Sequence, residues 1–483
     1  MLSSAADAKI VSALKGVSSS CICVTAAIQC QLALPYLLDR AIFPIQFSNR
    51  AKACRMTVSF PRFDRAFLMR LADWFAVAVA IALPWSTTAV GLCVAGWLIA
   101  LLPTLSVGPV RRELATAAGS LPILLWCLGV LGMVWADVDW HERFAGLDSF
   151  HRLLAIPLLL AQFRRSGNDI WVVCGFFFSS MIVLIASFGM VLIFGQIPHG
   201  IPGVPVHDTI FQGSEFLICG FGAVGYAAFS RELAPWPKRI MIVLGMLFLA
   251  NFGVATPSRS ALFTAPLMLL LLGGRLFRWK GMITACVLAV AIGAAAWVVS
   301  PSLRGRVEHS INELQQYRLA NKSTSIGEHL AFLEESWTII KLAPVIGHGT
   351  GSMPAEFRRV TAGQTGVSGL ATVNPHNQTF AVAIQLGIVG AVLLWAMWLA
   401  HLALFRGESA TAWLGFVVVI ENVISSIAHS HLFDFNNGWL YVFSVGVLGG
   451  TMLRNRADHL KNRNLGINTQ SSLTSPTRRC RRS

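Results

Sequence analysis

Charge is what this sequence has least of: 13% of its 483 residues are Asp, Glu, Lys or Arg, about half the share of an ordinary soluble domain. A single water-soluble globule of this length is excluded on that ground. Acidic residues are the scarcer sign, 23 against 38 basic ones, for a formal net charge of +15. Nucleic-acid binding would need those basic residues gathered on a polar domain; here they stand as short punctuation between apolar runs, where lipid anchoring and anionic substrates explain them better. Cysteine is missing from the one long polar stretch, Ser300 to Gln378, so no disulfide holds it. Cys21 and Cys23 form a lone C-x-C without a second pair at zinc spacing, and they read as small packing residues.

What is present is apolar sequence, 55% of the chain, with a mean hydropathy of +0.62. About 20 apolar residues cross the hydrocarbon core as a helix. Runs of that kind lie at roughly 70–84, 87–105, 113–135, 151–163, 169–195, 212–230, 238–256, 260–274, 281–300, 378–404, 410–428 and 437–453. The fourth and eighth are short. This makes an all-α polytopic membrane protein of about twelve transmembrane helices. If odd-numbered helices run outward, the inner connections collect Arg62, Arg65, Arg70, Arg111, Arg112, Arg164, Arg165, Arg231, Lys238, Arg239, Arg275, Arg278, Lys280 and Arg406, and the basic tail follows. The short outer connections hold only Arg143, Arg152 and Arg259. A miscounted helix would swap the sides of every later loop, so the bias favours both the count and the orientation.

The expected organisation follows. Residues 1–55 are an N-terminal extension, upstream or dispensable, with a marginal apolar run from Cys21 to Tyr36. Helices one to nine occupy 56–300, an external segment 301–377, helices ten to twelve 378–454, and a basic cytoplasmic tail 455–483. The external segment is too long for a structureless loop and carries helical pattern at Leu303–Leu319 and Glu328–Leu342, so it is expected to form a small helical cap. The tail, with Arg478, Arg479, Arg481 and Arg482, is expected to meet anionic headgroups.

Charged groups at outward helix ends are costly unless they are paired or used. Arg259, in Thr256-Pro257-Ser258-Arg259-Ser260-Ala261-Leu262, has no acid nearby in sequence. It is either a snorkelling or structurally paired arginine or an anion clamp, since a guanidinium fork binds phosphate oxygens bidentately. Arg152, in His151-Arg152-Leu153-Leu154, is expected to open the fourth helix, where free N–H groups would join it around a phosphate; Asp148 offers a structural partner instead. Arg143 lies closer to Glu142 and Asp139, which favours pairing. His376, in Asn374-Pro375-His376-Asn377-Gln378, stands where the cap returns to the membrane. Its imidazole could take a proton from a sugar hydroxyl, with Asn374 or Asn377 orienting it or binding the acceptor. A packing histidine is the plainer alternative.

Weaker features are His199, His207, Asp208 and Glu215 in a Gly/Pro-rich loop, and His429, His431 and Asp434 in another. The spacing of His429 and His431 permits a metal, but no carboxylate is fixed beside them, and no metal is assigned. Asp137-Val138-Asp139 is literally D-x-D, a metal-sugar-diphosphate pattern in some glycosyltransferases, though solvated loop acids are the default reading.

With these residues placed, the chain resembles the O-antigen ligase family, which shares a domain with O-antigen polymerases. The resemblance runs from about Arg70 to Arg454. It rests on the crossings, on Trp337 followed by Pro344-Val345-Ile346-Gly347-His348-Gly349-Thr350-Gly351, on Pro375-His376-Asn377 and on Ser258-Arg259-Ser260. It implies a GT-C-like fold and an inner-membrane glycosyltransferase with its active site facing the periplasm. The enzyme would move a glycan from undecaprenyl diphosphate to the lipid A–core of lipopolysaccharide, without a metal or other cofactor. Its partners would be those two substrates and membrane lipids, with no nucleic acid. By matching motif His376 would be the base and Arg259 a diphosphate ligand, with Arg152 a less secure second ligand and Asn374 and Asn377 substrate-binding. The alternatives are an O-antigen polymerase using the same donor and, from another class, a lipid-glycan transporter, whose charged groups would lie near the bilayer midplane within inverted repeats; no such repeat is present.

Overall fold

The computed structural model describes residues 64–194, 203–206, 208–253, 258–299 and 301–473. The N-terminal extension, Cys21, Cys23, Arg62, His199, His207 and the arginines of the tail's end lie outside the described residues. Among the described residues there is no strand. The helices are α1 (Arg65–Ala82), α2 (Thr87–Leu101), α3 (Val107–Leu114), α4 (Ala117–Trp135), α5 (Trp140–His151), α6 (Ala155–Phe163), α7 (Asp169–Phe194), α8 (Thr209–Phe229), α9 (Pro235–Ala250), α10 (Arg259–Val299), α11 (Pro301–Ala320), α12 (Ser325–Leu342), α13 (Met353–Thr361), α14 (Gln378–Leu404), α15 (Ala410–Ser425) and α16 (Phe435–Leu473).

Short polar side chains open these apolar runs. Asp64 accepts from Ala66 N at the start of α1, Ser86 from Ala89 N at α2, Thr116 from Gly119 N at α4, and Asp208 from Ile210 N and Phe211 N at α8. Each satisfies donors that the first helical turn leaves free. Among the described residues six helical stretches are long and apolar enough to cross a membrane: Thr87–Thr104, Ala117–Trp135, Trp140–Phe163, Asp169–Ile193, Ser260–Ala295 and Gln378–Leu404; Ala410–Ser425 is a shorter apolar helix. A multi-pass membrane protein follows from these helices.

One boundary differs from the sequence expectation. The fourth apolar run is not short, because α5, a 3-10 turn at Arg152–Leu154 and α6 form one continuous helical passage. Arg152 therefore lies inside that passage rather than at a free helix N-terminus, and the expected ring of unsatisfied N–H groups around it is absent. The long helix α10 is two arms. Phe277 and Arg278 are non-helical, and a Cβ on Gly273 would fall 2.4 Å from the Gly281 carbonyl oxygen. In a straight helix those residues would stand about 12 Å apart along the axis. The chain thus doubles back at Phe277–Arg278, between Arg275 and Lys280, where the eighth and ninth runs were divided.

Close helix contact is made at small residues, as membrane helices require. Along α16, Gly446 meets Leu159, Gly449 meets Leu160, and Gly450 meets Phe163, so α6 seats directly on its backbone. The buried charges at the end of the bundle that carries Arg164 and Arg165 are paired. Asp73 accepts from Gln162 Nε2, Ser166 Oγ and Asn168 Nδ2 at 2.7–2.9 Å, and Glu113 accepts from Arg112 and Arg164 at 3.0 Å.

At the other end, α11 to α13 fold over the start of α14. Tyr317 Oη donates to Glu334 at 3.0 Å between α11 and α12. Arg358 and Arg359 of α13 reach Glu142 in the first turn of α5 at 3.2 Å and Asp137 just before that helix at 3.5 Å.

Candidate active site

Two loops meet at this end of the bundle and are stitched together residue by residue. Gln378 N donates to Ser426 O at 3.0 Å, Asn377 Nδ2 to Ile427 O at 3.0 Å, and Ser430 Oγ to Asn374 Oδ1 at 2.8 Å. Gln378 Oε1 in turn accepts from Leu432 N and Phe433 N. Asn377 also caps α14, accepting from Phe380 N at 3.0 Å. His376 sits at the centre in a left-handed conformation, φ 52°, which is uncommon outside glycine. Its backbone N–H donates to Asn374 Oδ1 at 2.9 Å. Asn374 and Asn377 thus fix the loop that carries His376.

The His376 ring enters a cluster of aromatic and imidazole rings. Its centroid lies 4.4 Å from His329 of α12, 5.9 Å from His429 and 6.1 Å from Phe332, on which it stacks. His329 and His429 are 6.0 Å apart, and His431 lies 5.7 Å behind His429. Nδ1 of His376 is buried without a hydrogen-bond partner, as are both ring nitrogens of His431. Burial pushes His376 down to about 4, helped by the His329 imidazole, while Glu328 acts the other way. Burial and the neighbouring rings push His429 to about 3, and burial does the same to His431. At neutral pH these rings are neutral, so His376 is available to accept a proton. Among the described residues no group of three or more His, Cys, Asp or Glu is placed to hold a metal ion.

The sequence singled out His376; it did not show that His329 and His429 would join it. The His429-Ser430-His431 triplet was the only local sign, and its rings find His376 through the Ser430–Asn374 bond.

Arg152 reaches the same loop from the other side. Its side chain is 7% exposed, and Nη1 donates to the carbonyls of Asp434 and Phe435 at the start of α16. Gly438 leaves room for it, since a Cβ there would fall 2.2 Å from Nη1. Arg143 donates to Val138 O at 2.8 Å and Met133 O at 2.7 Å and lies over Trp140, so it binds carbonyls and an aromatic face rather than the acids beside it. Glu215 is buried within α8 rather than held in a loop. Arg259 opens α10, and its side chain lies outside the described residues. The backbone around it is nevertheless located. Ser258 lies against Gly213 of α8, and Thr264 Oγ1 is 3.3 Å from Ser425 Oγ, the last residue of α15 before the loop that reaches His376. The first turns of α10, the Arg152 guanidinium and His376 therefore share one end of the bundle.

The Pro344–Gly351 motif serves this end structurally. Helix α14 breaks at Gly387, φ 62° and ψ −161°. The motif fills the break: His348 N donates to Ile384 O, Gly349 N to Gln385 O, and Ile388 N to Pro344 O, each at 2.9 Å. Backbone freed within a membrane helix must find partners inside the protein, and this loop supplies them. A Cβ on Gly347 would fall 2.5 Å from the Gln385 carbonyl carbon, and one on Gly349 2.4 Å from Ala136 Cα.

The match to known proteins falls on this same part of the chain. Comparison with curated proteins returned no match. Residues 244–394, from α9 to the middle of α14, match the O-antigen ligase family model. That stretch contains the start of α10, helices α11 to α13, the glycine loop and His376, and it ends before the loop bearing His429. Ligases and polymerases of O-antigen share this type of domain, and the family acts on lipid-linked glycans and lipopolysaccharide. Across residues 244–394 the chain is thus similar to the O-antigen ligase family.

Proposed function

We propose that this protein is an O-antigen ligase of the bacterial inner membrane, with about twelve crossings and its cap and active site at the periplasmic face. It transfers a glycan from undecaprenyl diphosphate to a sugar hydroxyl of the lipid A–core. The observation that carries the reading is the His376 imidazole. It is neutral at physiological pH and half-buried between cap and membrane helices. It also lies within the family-matched stretch and at the same bundle end as the start of α10.

In this reaction His376 takes the proton from the acceptor hydroxyl as that oxygen bonds to the anomeric carbon. The bond from that carbon to the carrier phosphate breaks, and its electron pair leaves on the diphosphate. Direct attack inverts the anomeric configuration. Arg259 stabilises the charge on the leaving diphosphate, because a guanidinium stays charged and presents paired donors. Arg152 contributes by holding the carbonyls of Asp434 and Phe435, and so the loop that backs His376. No metal is needed in this scheme.

The test is an assay of purified protein with a carrier-linked glycan and rough lipopolysaccharide. His376→Ala should abolish transfer while the protein remains in the membrane; retained turnover removes the base. Arg259→Lys should be severely impaired, since a point charge cannot replace the fork. Carrier-linked long chains formed without lipopolysaccharide would instead identify a polymerase.

A further inference from the structure

Three imidazoles from three separate segments meet here: His329 from the cap helix α12, His376 from the loop before α14, and His429 from the loop after α15. The Ser430–Asn374 and Asn377–Ile427 hydrogen bonds hold the two loops in register, so this contact is built in. We propose that His329 is a positioning residue for the base: it closes over the His376 ring, and a proton on it repels a proton on His376, keeping that ring ready to accept. The inference rests on the reading of His376 as the base and adds to it what sets its protonation.

The physical argument is like-charge repulsion at short range. Two cationic rings with centroids 4.4 Å apart, in a half-buried setting, disfavour each other strongly, so the cluster titrates as a unit and holds fewer protons than separate histidines would. His329, at 4.4 Å, is the ring that repels a proton on His376; His429, at 5.9 Å, is itself held lower, in part by His376, and is neutral where His376 takes its proton. Titratable groups around the cluster among the described residues include Glu328, on the same helix as His329, Asp208 before α8, and His431 behind His429. Glu328 favours a proton on His376 and Asp208 favours one on His429, so the acids oppose the repulsion. Glu335 lies further along α12.

After each transfer His376 holds the acceptor's proton, and the crowded, partly buried site expels it to water, returning the neutral base. Because His329 and the stacked Phe332 belong to α12, this protection exists only while the cap is seated. Base strength is thereby coupled to cap position.

The experiment is the pH dependence of kcat/KM for full-length enzyme, read by the position of the acid limb rather than its height. His329→Gln removes a competing cation, so the limb should move to higher pH, on the order of one unit. His329→Lys installs a permanent cation, so the limb should move to lower pH. His429→Gln should leave the limb in place, because His429 is neutral where His376 takes its proton; His329→Asn, equally uncharged, replaces a His329→Gln that fails to assemble. Acid limbs coincident with the wild type in the His329 variants, whatever their rates, overturn the proposal. Turnover in His376→Ala would instead overturn the underlying base assignment.

Discussion

Asn374 and Ser430, from loops on opposite sides of two membrane helices, are joined by a 2.8 Å hydrogen bond from Ser430 Oγ to Asn374 Oδ1, and that same oxygen accepts from His376 N at 2.9 Å. One acceptor therefore sets both the left-handed backbone of His376 and the register of the loop carrying His429. Asn374→Asp keeps the oxygen and should keep most of the activity. Asn374→Ala removes it and should lower kcat by tenfold or more, since misplacement of about 1 Å can cost about a hundredfold. Steady-state kinetics on the two variants check this, with KM largely unchanged in the alanine variant.

The break in α14 should tolerate no side chain. At Gly387 a Cβ would fall 2.2 Å from Val345 O, and the backbone is one that other residues avoid. Gly387→Ala should destabilise the protein by about 2 kcal/mol or more. Thermal unfolding in detergent, together with the yield of monodisperse protein, reads this directly; an unchanged Tm would show that the glycine loop is not what holds the break.

The buried histidines should make the protein acid-sensitive. His376, His429 and His431 lie below their ordinary value of 6.5 in the folded state. The unfolded chain therefore binds more protons as pH falls from about 6.5 toward 4, and stability is lost over that window while being fully present above it. Tm measured between pH 7.5 and 4.5 should fall, and fall less in His431→Gln, which removes the most buried of the three.

Glu335 acts with the opposite sign. Its carboxyl oxygens are buried in α12 without partners, and burial, then Glu334, pushes it up to about 7. Its stabilising proton is present below the ordinary carboxylate range and is lost as pH rises through about 7. Glu335→Gln should leave Tm near pH 5 unchanged and raise stability at pH 8 by about 1 kcal/mol, a figure discounted for solvent screening.

Much of the helix layout was legible because apolar runs of bilayer length are a one-dimensional property. Each of the divided runs coincides with a helix or helix arm, and the turn between the eighth and ninth was marked by Arg275, Arg278 and Lys280. The two helices of the external segment were legible for the same reason. Arg152 was not. Its surroundings looked like an open helix end, but α5 runs straight into it, and its carbonyl partners lie 282 and 283 residues away. The glycines of the Pro344–Gly351 motif were visible as a pattern, while their reason, the gap at Gly387, is not written near them.

By itself the sequence determined a helical membrane protein, because hydrophobic length acts locally along the chain. It also singled out His376 and Arg259 as candidate site residues, each with a structural reading beside the functional one. Only the tertiary structure decided that His376 lies between His329 and His429, and that Arg152 grips backbone carbonyls. Those contacts join segments far apart in the chain, and they exist only because helix packing and loop hydrogen bonds bring the segments to within a few ångströms of one another.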